Sequence, residues 1–340
     1  MNDPETVHAV GFAYWKRRHV RTFLTPAKVR FVAATRDVPP GSTAASWGMR
    51  IPDEVFPAQT RLLRLEDGFL RSVGLGADLT TPLSWVADGR GIYYDPSRPS
   101  DLEHLLARHN FTGSEIDRGR ALRARIVSAG ITKYNCDAAP WRRPGGAKRV
   151  ILVPGQVDSD ASVRLGTDRF SCDRDLLRAV RETETGAFIV YKPHPDVAAS
   201  LRRSSRIDKE TAGWCDAVAA GCDMNNLLGE VDEVHTMTSL TGFEALLRGV
   251  KVVTYGTPFY AGWGLTEDRD MRESAARRRD RRLSLDELVS ASLVLYPRYA
   301  DRRGCALHGP EQALDELVAW RAAGPPGSSL LRPILRLLAR

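Results

Sequence analysis

No stretch of the 340-residue chain reaches the roughly 18 to 20 uninterrupted apolar residues that a spanning helix needs. Its first residues, MNDPETVHAV, have no basic segment leading into an apolar core. Both absences argue against a membrane span or a leader and predict a cytoplasmic globular protein. Cysteine is scarce. Cys136, Cys172, Cys215, Cys222 and Cys305 are scattered, odd in number and never spaced as CxxC, so neither a disulfide framework nor a zinc site is suggested. A helix-turn-helix, zinc-finger or RNA-binding signature is also missing, and nucleic acid is not expected as a partner. There is no repeat of solenoid period, and no low-complexity segment beyond one arginine run.

What the chain does have is 43% hydrophobic residues, enough to bury two cores of ordinary size, and a formal net charge of +7. The positive charge collects in three places. These are Lys16, Arg17 and Arg18; the run Arg277, Arg278, Arg279, Arg281 and Arg282; and the last segment, SSLLRPILRLLAR. The middle run reads as a solvated face. In the last segment Leu and Ile alternate with Arg at spacings compatible with an amphipathic helix, which suits a membrane surface or packing against the body.

Short apolar runs alternate with helical periodicity throughout. KVRFVAA, RLLRLEDGFL and PLSWVAD read as strands in the first half, DLEHLLARH and DRGRALRARIVSAG as helices. CDAAPWRRPGGAKR then breaks all periodicity and marks a boundary near residue 145. Beyond it, strands at RVILVPG, AFIVYKPHP, EVHTM and KVVTYG, separated by helices, predict a parallel doubly wound α/β sheet. The expected division is 1–145, 146–310 and a helical tail, 311–340. Such sheets bind ligands at the carboxyl ends of their strands, so the chemistry is sought in the loops that leave them.

Five clusters fall there. Glu66-Asp67-Gly68 offers two carboxylates, one of which can take a proton from a hydroxyl if its pKa is raised, and Arg71 just beyond can hold an anion. Asp158 and Asp160 either cap the next helix or face the cleft, where a carboxylate could attack an anomeric carbon. Lys192 and His194, fixed between Pro193 and Pro195, suit a nucleotide phosphate or a sugar carboxylate. Thr238 and Ser239 open a helix whose free N–H groups bind phosphate. Thr241 and Glu244 have the spacing of a capping box, and Glu244 is also placed to meet a ribose hydroxyl. The glycine-rich loop with Tyr260 and Trp263 supplies flat apolar walls for a base or sugar, or for packing between halves.

Taken in order, LEDGFLRSVGLG, PLSWVAD, GIYYDPSRPSDLE, TKYN, ILVPGQVDSDAS, YKPHPD, HTMTSLTGFEALLRG and YGTPFYAGWGLTED resemble the capsule polysaccharide biosynthesis family of KpsC/LipA type. Members of that family are retaining β-Kdo transferases that build an oligo-Kdo linker on phosphatidylglycerol. The resemblance spans about residues 11 to 270. It implies a GT-B-like fold of two Rossmann-type domains with the active site in the cleft between them. It also implies CMP-Kdo as donor, no cofactor or obligatory metal, and a Kdo-terminated (lyso)phosphatidylglycerol acceptor. Work at the inner-membrane surface beside the capsule export machinery would follow.

By the same resemblance Glu66 and Asp67 are the acid/base pair, His194-Pro195 and Thr238-Ser239 hold the CMP phosphate, and Gln156 with Asp160 matches a Gln-x-x-x-Asp pattern that makes Asp160 the nucleophile. Lys192 and Glu244 join the donor side. Arg71, Asp158, Tyr260 and Trp263 remain for the acceptor or sugar. Family members carry two such modules in tandem. This chain has room for one, most like the C-terminal module, which points to 2→7 rather than 2→4 linkage. Two other readings stand beside this one: a sugar-nucleotide epimerase or hydrolase, which would consume donor without acceptor, and a non-catalytic module binding glycolipid or polyanion, for which the carboxylates would be dispensable.

Overall fold

The computed structural model describes residues 5–74, 80, 82–135, 139–194 and 209–323, with side chains from Thr211 onward in the last stretch. Among the described residues there are thirteen strands: β1 Thr6–Val10, β2 Lys28–Val32, β3 Thr43–Trp47, β4 Arg61–Asp67, β5 Ser84–Asp88, β6 Val150–Pro154, β7 Phe188–Lys192, β8 Ala217–Val218, β9 Glu233–Thr236, β10 Lys251–Thr254, β11 Glu267–Asp268, β12 Arg298–Ala300 and β13 Leu307–His308. They form two sheets, of order β13-β12-β5-β4-β3-β1-β2 and β11-β10-β9-β6-β7-β8.

The second sheet is parallel throughout. Its central strands VILVP and EVHT are buried at every position, as strands covered on both faces must be. In the first sheet β2, β1, β3 and β4 run parallel, while β5, β12 and β13 are antiparallel to their neighbours. The residues 298–308, grouped by sequence with the second half, thus pair with the first sheet. The β1 and β3 strands add to those legible in the sequence.

Three helices illustrate how local sequence sets the frame. Ser100 caps Asp101–Arg108 by accepting from Glu103 N at 3.0 Å. Thr112 with Glu115, and Ser284 with Glu287, form capping boxes that start Gly113–Ser128 and Leu285–Val289. Composition suggested two separate cores, but the largest apolar cluster is shared. It includes Phe69, Leu102 and Ile126 of the first half together with Leu152, Val190 and Trp263 of the second. The two halves therefore cohere through apolar burial around a cleft, a GT-B-like α/β arrangement. No helix among the described residues is long and apolar enough to cross a membrane.

Candidate active site

A cleft of about 540 Å³ lies between the halves. From the second sheet it is lined by Pro154–Gln156 and Asp160 after β6, Lys192–His194 after β7, Thr238–Thr241 after β9, and Pro258–Phe259 after β10. Gly68 and Phe69 after β4, with Tyr93, Tyr94 and Thr132–Asn135, close it from the other side. Five of these segments leave the carboxyl ends of strands, where doubly wound sheets bind ligands.

Gln156 organises the floor and is 7% exposed. Its Nε2 donates to Thr238 Oγ1 at 2.9 Å, and its Oε1 accepts from Thr238 N at 2.9 Å and from Thr236 Oγ1 at 3.4 Å. One amide thus ties the exit of β6 to the exit of β9. Its own backbone N–H donates to Asp173 Oδ1 at 2.9 Å, and Tyr191 Oη donates to Asp173 Oδ2 at 2.7 Å. Burial pushes the Asp173 carboxyl up to about 6 despite these two donors.

Asp160 holds the N-cap position of the helix Ala161–Gly166 but makes no side-chain capping bond, and its exposed carboxylate lines the cleft. Asp158 is exposed and lies outside the cleft lining. Partial desolvation by its neighbours, and then the charge of Asp175, raise its pKa. The structure thus brings one of the two aspartates to the cleft and leaves the other beside it.

The donor-side residues converge. Lys192, 9% exposed, donates from Nζ to Cys222 O at 2.7 Å, and His194 stands edge-on to Tyr134 with ring centroids 6.4 Å apart. Pro195 lies outside the described residues. Ser239 is the N-cap of Leu240–Leu247 and accepts from Thr241 N at 3.2 Å, so the cap is Ser239 and no box forms between Thr241 and Glu244. Glu244, 8% exposed, instead accepts from Lys133 N at 2.7 Å, and burial raises its pKa. Thr241 and Glu244, one turn apart, both line the cleft, beneath a helix start that presents Thr238 and Ser239 to it.

Glu66 and Asp67 end β4, just before the cleft-lining Gly68 and Phe69, and neither is itself part of the lining. Burial, then the charge of Asp67, push the Glu66 carboxyl up to about 7, although Asp67 N donates to its Oε1 at 3.0 Å and Lys16 and Lys133 lie near. Asp67 is ion-paired to Arg71 Nε at 2.6 Å. Arg71 is 6% exposed, also donates to Ser72 Oγ at 2.8 Å, and is not part of the cleft lining. Of the pair, Glu66 is the carboxylate left without a guanidinium partner among the described residues.

Tyr260 and Trp263 are 0% exposed and do not reach the cleft. Tyr260 Oη donates to Ser239 O at 2.6 Å, and Trp263 Nε1 to Phe259 O at 2.8 Å. Both therefore brace the wall that Pro258 and Phe259 present. Thr132–Asn135, Tyr93 and Tyr94 line the cleft without having stood out as site residues in the sequence, where TKYN and GIYYDPS carried only resemblance. Asn135, at φ 48°, holds its turn by accepting from Thr132 N at 2.8 Å and donating to Ser72 O at 3.0 Å. The arginine run is not a solvated face. Arg279 is 6% exposed, Arg278 and Arg281 bond to the first half, and Arg277 alone of the three neighbours Arg277–Arg279 keeps a largely exposed side chain. Carbonyls and a buried carboxylate await these guanidiniums, which hydropathy cannot reveal.

A family profile described as "Capsule polysaccharide biosynthesis protein" matches residues 49–138 and 121–299. The capsule polysaccharide modification protein LipA of Neisseria meningitidis is 41% identical over 303 residues, 86% of this chain and 42% of its own length. The lipopolysaccharide-processing protein LpsZ of Rhizobium meliloti is 38% identical over 306 residues, 85% of this chain and 69% of its own. The chain thus spans about two fifths of the LipA relatives it matches. Two solved structures of Thermosulfurimonas dismutans KpsC superimpose with a TM-score of 0.76. The one described as a beta Kdo 2,7 transferase is 35% identical, over 93% of this chain and 99% of its own. The one described as a beta Kdo 2,4 transferase is 31% identical, over 91% and 97%.

Proposed function

Since the chain belongs to the capsule polysaccharide biosynthesis family, we propose that it is a retaining β-Kdo transferase that moves Kdo from CMP-Kdo onto a Kdo-terminated phosphatidylglycerol linker. Higher identity to the 2,7 than to the 2,4 transferase, 35% against 31%, favours the β-2,7 linkage. The observation that carries the reading is a cleft in which an exposed Asp160, its side chain making no capping bond, shares the walls with Lys192, His194 and the Thr238-Ser239 helix start.

In the proposed sequence the Asp160 carboxylate attacks the anomeric carbon of the donor and the bond to the CMP phosphate breaks. The departing phosphate takes its negative charge to Lys192, His194 and the hydroxyls of Thr238 and Ser239 at the positive end of their helix. An acceptor hydroxyl then attacks the sugar-aspartyl ester from the opposite face, gives its proton to Glu66, and restores the Asp160 carboxylate. Two inversions give net retention. Glu66 suits the base role because its raised pKa lies near neutrality and Asp67 is held by Arg71. This reading makes the segment up to about residue 145 the acceptor side and the rest the donor side, with work at the inner-membrane surface where the lipid acceptor lies.

The test is incubation with CMP-Kdo and a synthetic Kdo-terminated acceptor, wild type against Asp160→Asn, following both product and intact protein mass. Elongation by wild type alone, with a mass gain of one Kdo on the protein, is the expected result. Donor consumption without elongation would replace the proposal by a hydrolase or epimerase, and binding with no turnover of donor by a binding module.

A further inference from the structure

Two turns at the carboxyl rim of the first sheet, those after β1 and β3, come together near Glu66. Gly48, directly after β3, packs so closely that a side chain there would meet Glu66 Oε2 and Tyr94 Oη. Trp47 precedes it, and the ammonium of Lys16 sits 3.4 Å from the centre of the Trp47 ring. Lys16 ends the 3-10 turn Tyr14–Lys16 that follows β1, and that turn turns its aromatic residues outward: Tyr14 is 86% exposed and Trp15 43%. Lys16 lies near enough to Asp67, Glu66, Arg50 and Arg71 to feel the charge of each. The exposed ring of Trp15, 5.3 Å from the Lys16 ammonium, thus stands with Lys16 and Arg50 on the side of the candidate base.

Neither ring is buried against the body, and each has a cation near its face: Lys16 at 5.3 Å from the centre of Trp15 and Arg17 at 5.7 Å from that of Tyr14. Ring faces beside cations are what a carboxylate-bearing sugar needs: C–H groups against the ring, the anion on the ammonium or guanidinium. We infer that Trp15, Lys16 and Arg50, with Trp47 beneath, form a subsite for an anionic sugar at the growing end of the acceptor. The inference rests on the transferase reading and deepens it. Lys16 bridges the two parts of the rim. It is the cation that meets the acceptor carboxylate, and its seat on Trp47 fixes the sugar's distance from Glu66.

The experiment compares binding and elongation of a synthetic Kdo-terminated oligosaccharide with those of its carboxylate methyl ester, in wild type, Trp15→Ala and Lys16→Met. Binding is read by calorimetry and by quenching of tryptophan fluorescence. The free acid should bind wild type more tightly than the ester. Lys16→Met should weaken the acid about tenfold and leave the ester unchanged, Trp15→Ala should weaken both, and in turnover the loss should fall on acceptor KM rather than donor KM. Acid and ester binding alike to wild type, or variants within about twofold of wild type, would overturn the subsite while elongation by wild type kept the transferase reading. The expected binding pattern without elongation would keep the subsite and sink the transferase. Retention of wild type, but not Trp15→Ala, on phosphatidylglycerol vesicles, with acceptor affinity equal in the two, would assign the rings to a lipid surface instead.

Discussion

Arg279 places its Nε 3.1 Å from Glu103 Oε2, joining the segment after β11 to a helix of the first half, with both side chains out of solvent. The same guanidinium donates to Pro258 O at 2.7 Å and Ala261 O at 2.8 Å, the loop that carries Phe259 into the cleft. Removing one partner of a buried pair leaves the other's desolvation uncompensated. Arg279→Ala is expected to cost about 3 kcal/mol in urea unfolding, whereas Arg277→Ala, at an exposed pair with Glu273, should stay within about 0.5 kcal/mol.

Gln156 and Thr238 are coupled by bonds in both directions, side chain to side chain and backbone to side chain. Gln156→Ala and Thr238→Val should each destabilise by about 1–2 kcal/mol. The double variant should lose less than the sum by at least about 0.5 kcal/mol. Chemical denaturation of the four proteins measures that coupling.

Glu66 has its carboxyl raised to about 7, so the base is ionised only above that pH. The acceptor-dependent rate should climb as pH rises through about 7 and level off, and Glu66→Gln should flatten the profile at a low rate. The stability effect has the opposite sense. The native carboxyl holds its proton more tightly than the unfolded one, near 4.5, so this group's contribution is lost as pH rises from about 4.5 to 7. Glu66→Gln should therefore melt higher than wild type at pH 8, with the gap closing below pH 5.

Asp160 makes no capping bond that a substitution would forfeit. Asp160→Asn should melt within about 2 °C of wild type. Transfer should fall at least about a thousandfold, as the loss of a nucleophile requires. Thermal melts and initial rates on the same preparation separate the two effects.

The α/β alternation and the carboxyl-end loops were legible because glycine and proline punctuate strong apolar strands, and Lys192, His194, Thr238 and Asp160 come to one cleft. The β3 strand, TAASW, was not legible, since small residues carry weak strand preference and its burial is decided by neighbours. The aromatic loop shows the limit more sharply. Whether Phe259 or Tyr260 faces the cleft depends on Gly242, where any side chain would collide with the Tyr260 ring, and that contact joins residues far apart in the chain. The arginine run misled for the same reason, its acceptors lying in distant segments.

The return of the chain to β12 has a consequence for biosynthesis. Tyr299 pairs with Ser84, and Tyr296 Oη reaches Asp88 Oδ2, a residue 208 positions earlier. The first half of this sequence cannot close its own β5 edge as it leaves the ribosome. It must wait, with that edge unpaired, until the later half has been translated. Such long-range closure slows folding, and a nascent chain interrupted anywhere before residue 298 is expected to present that edge to chaperones or to other copies of itself.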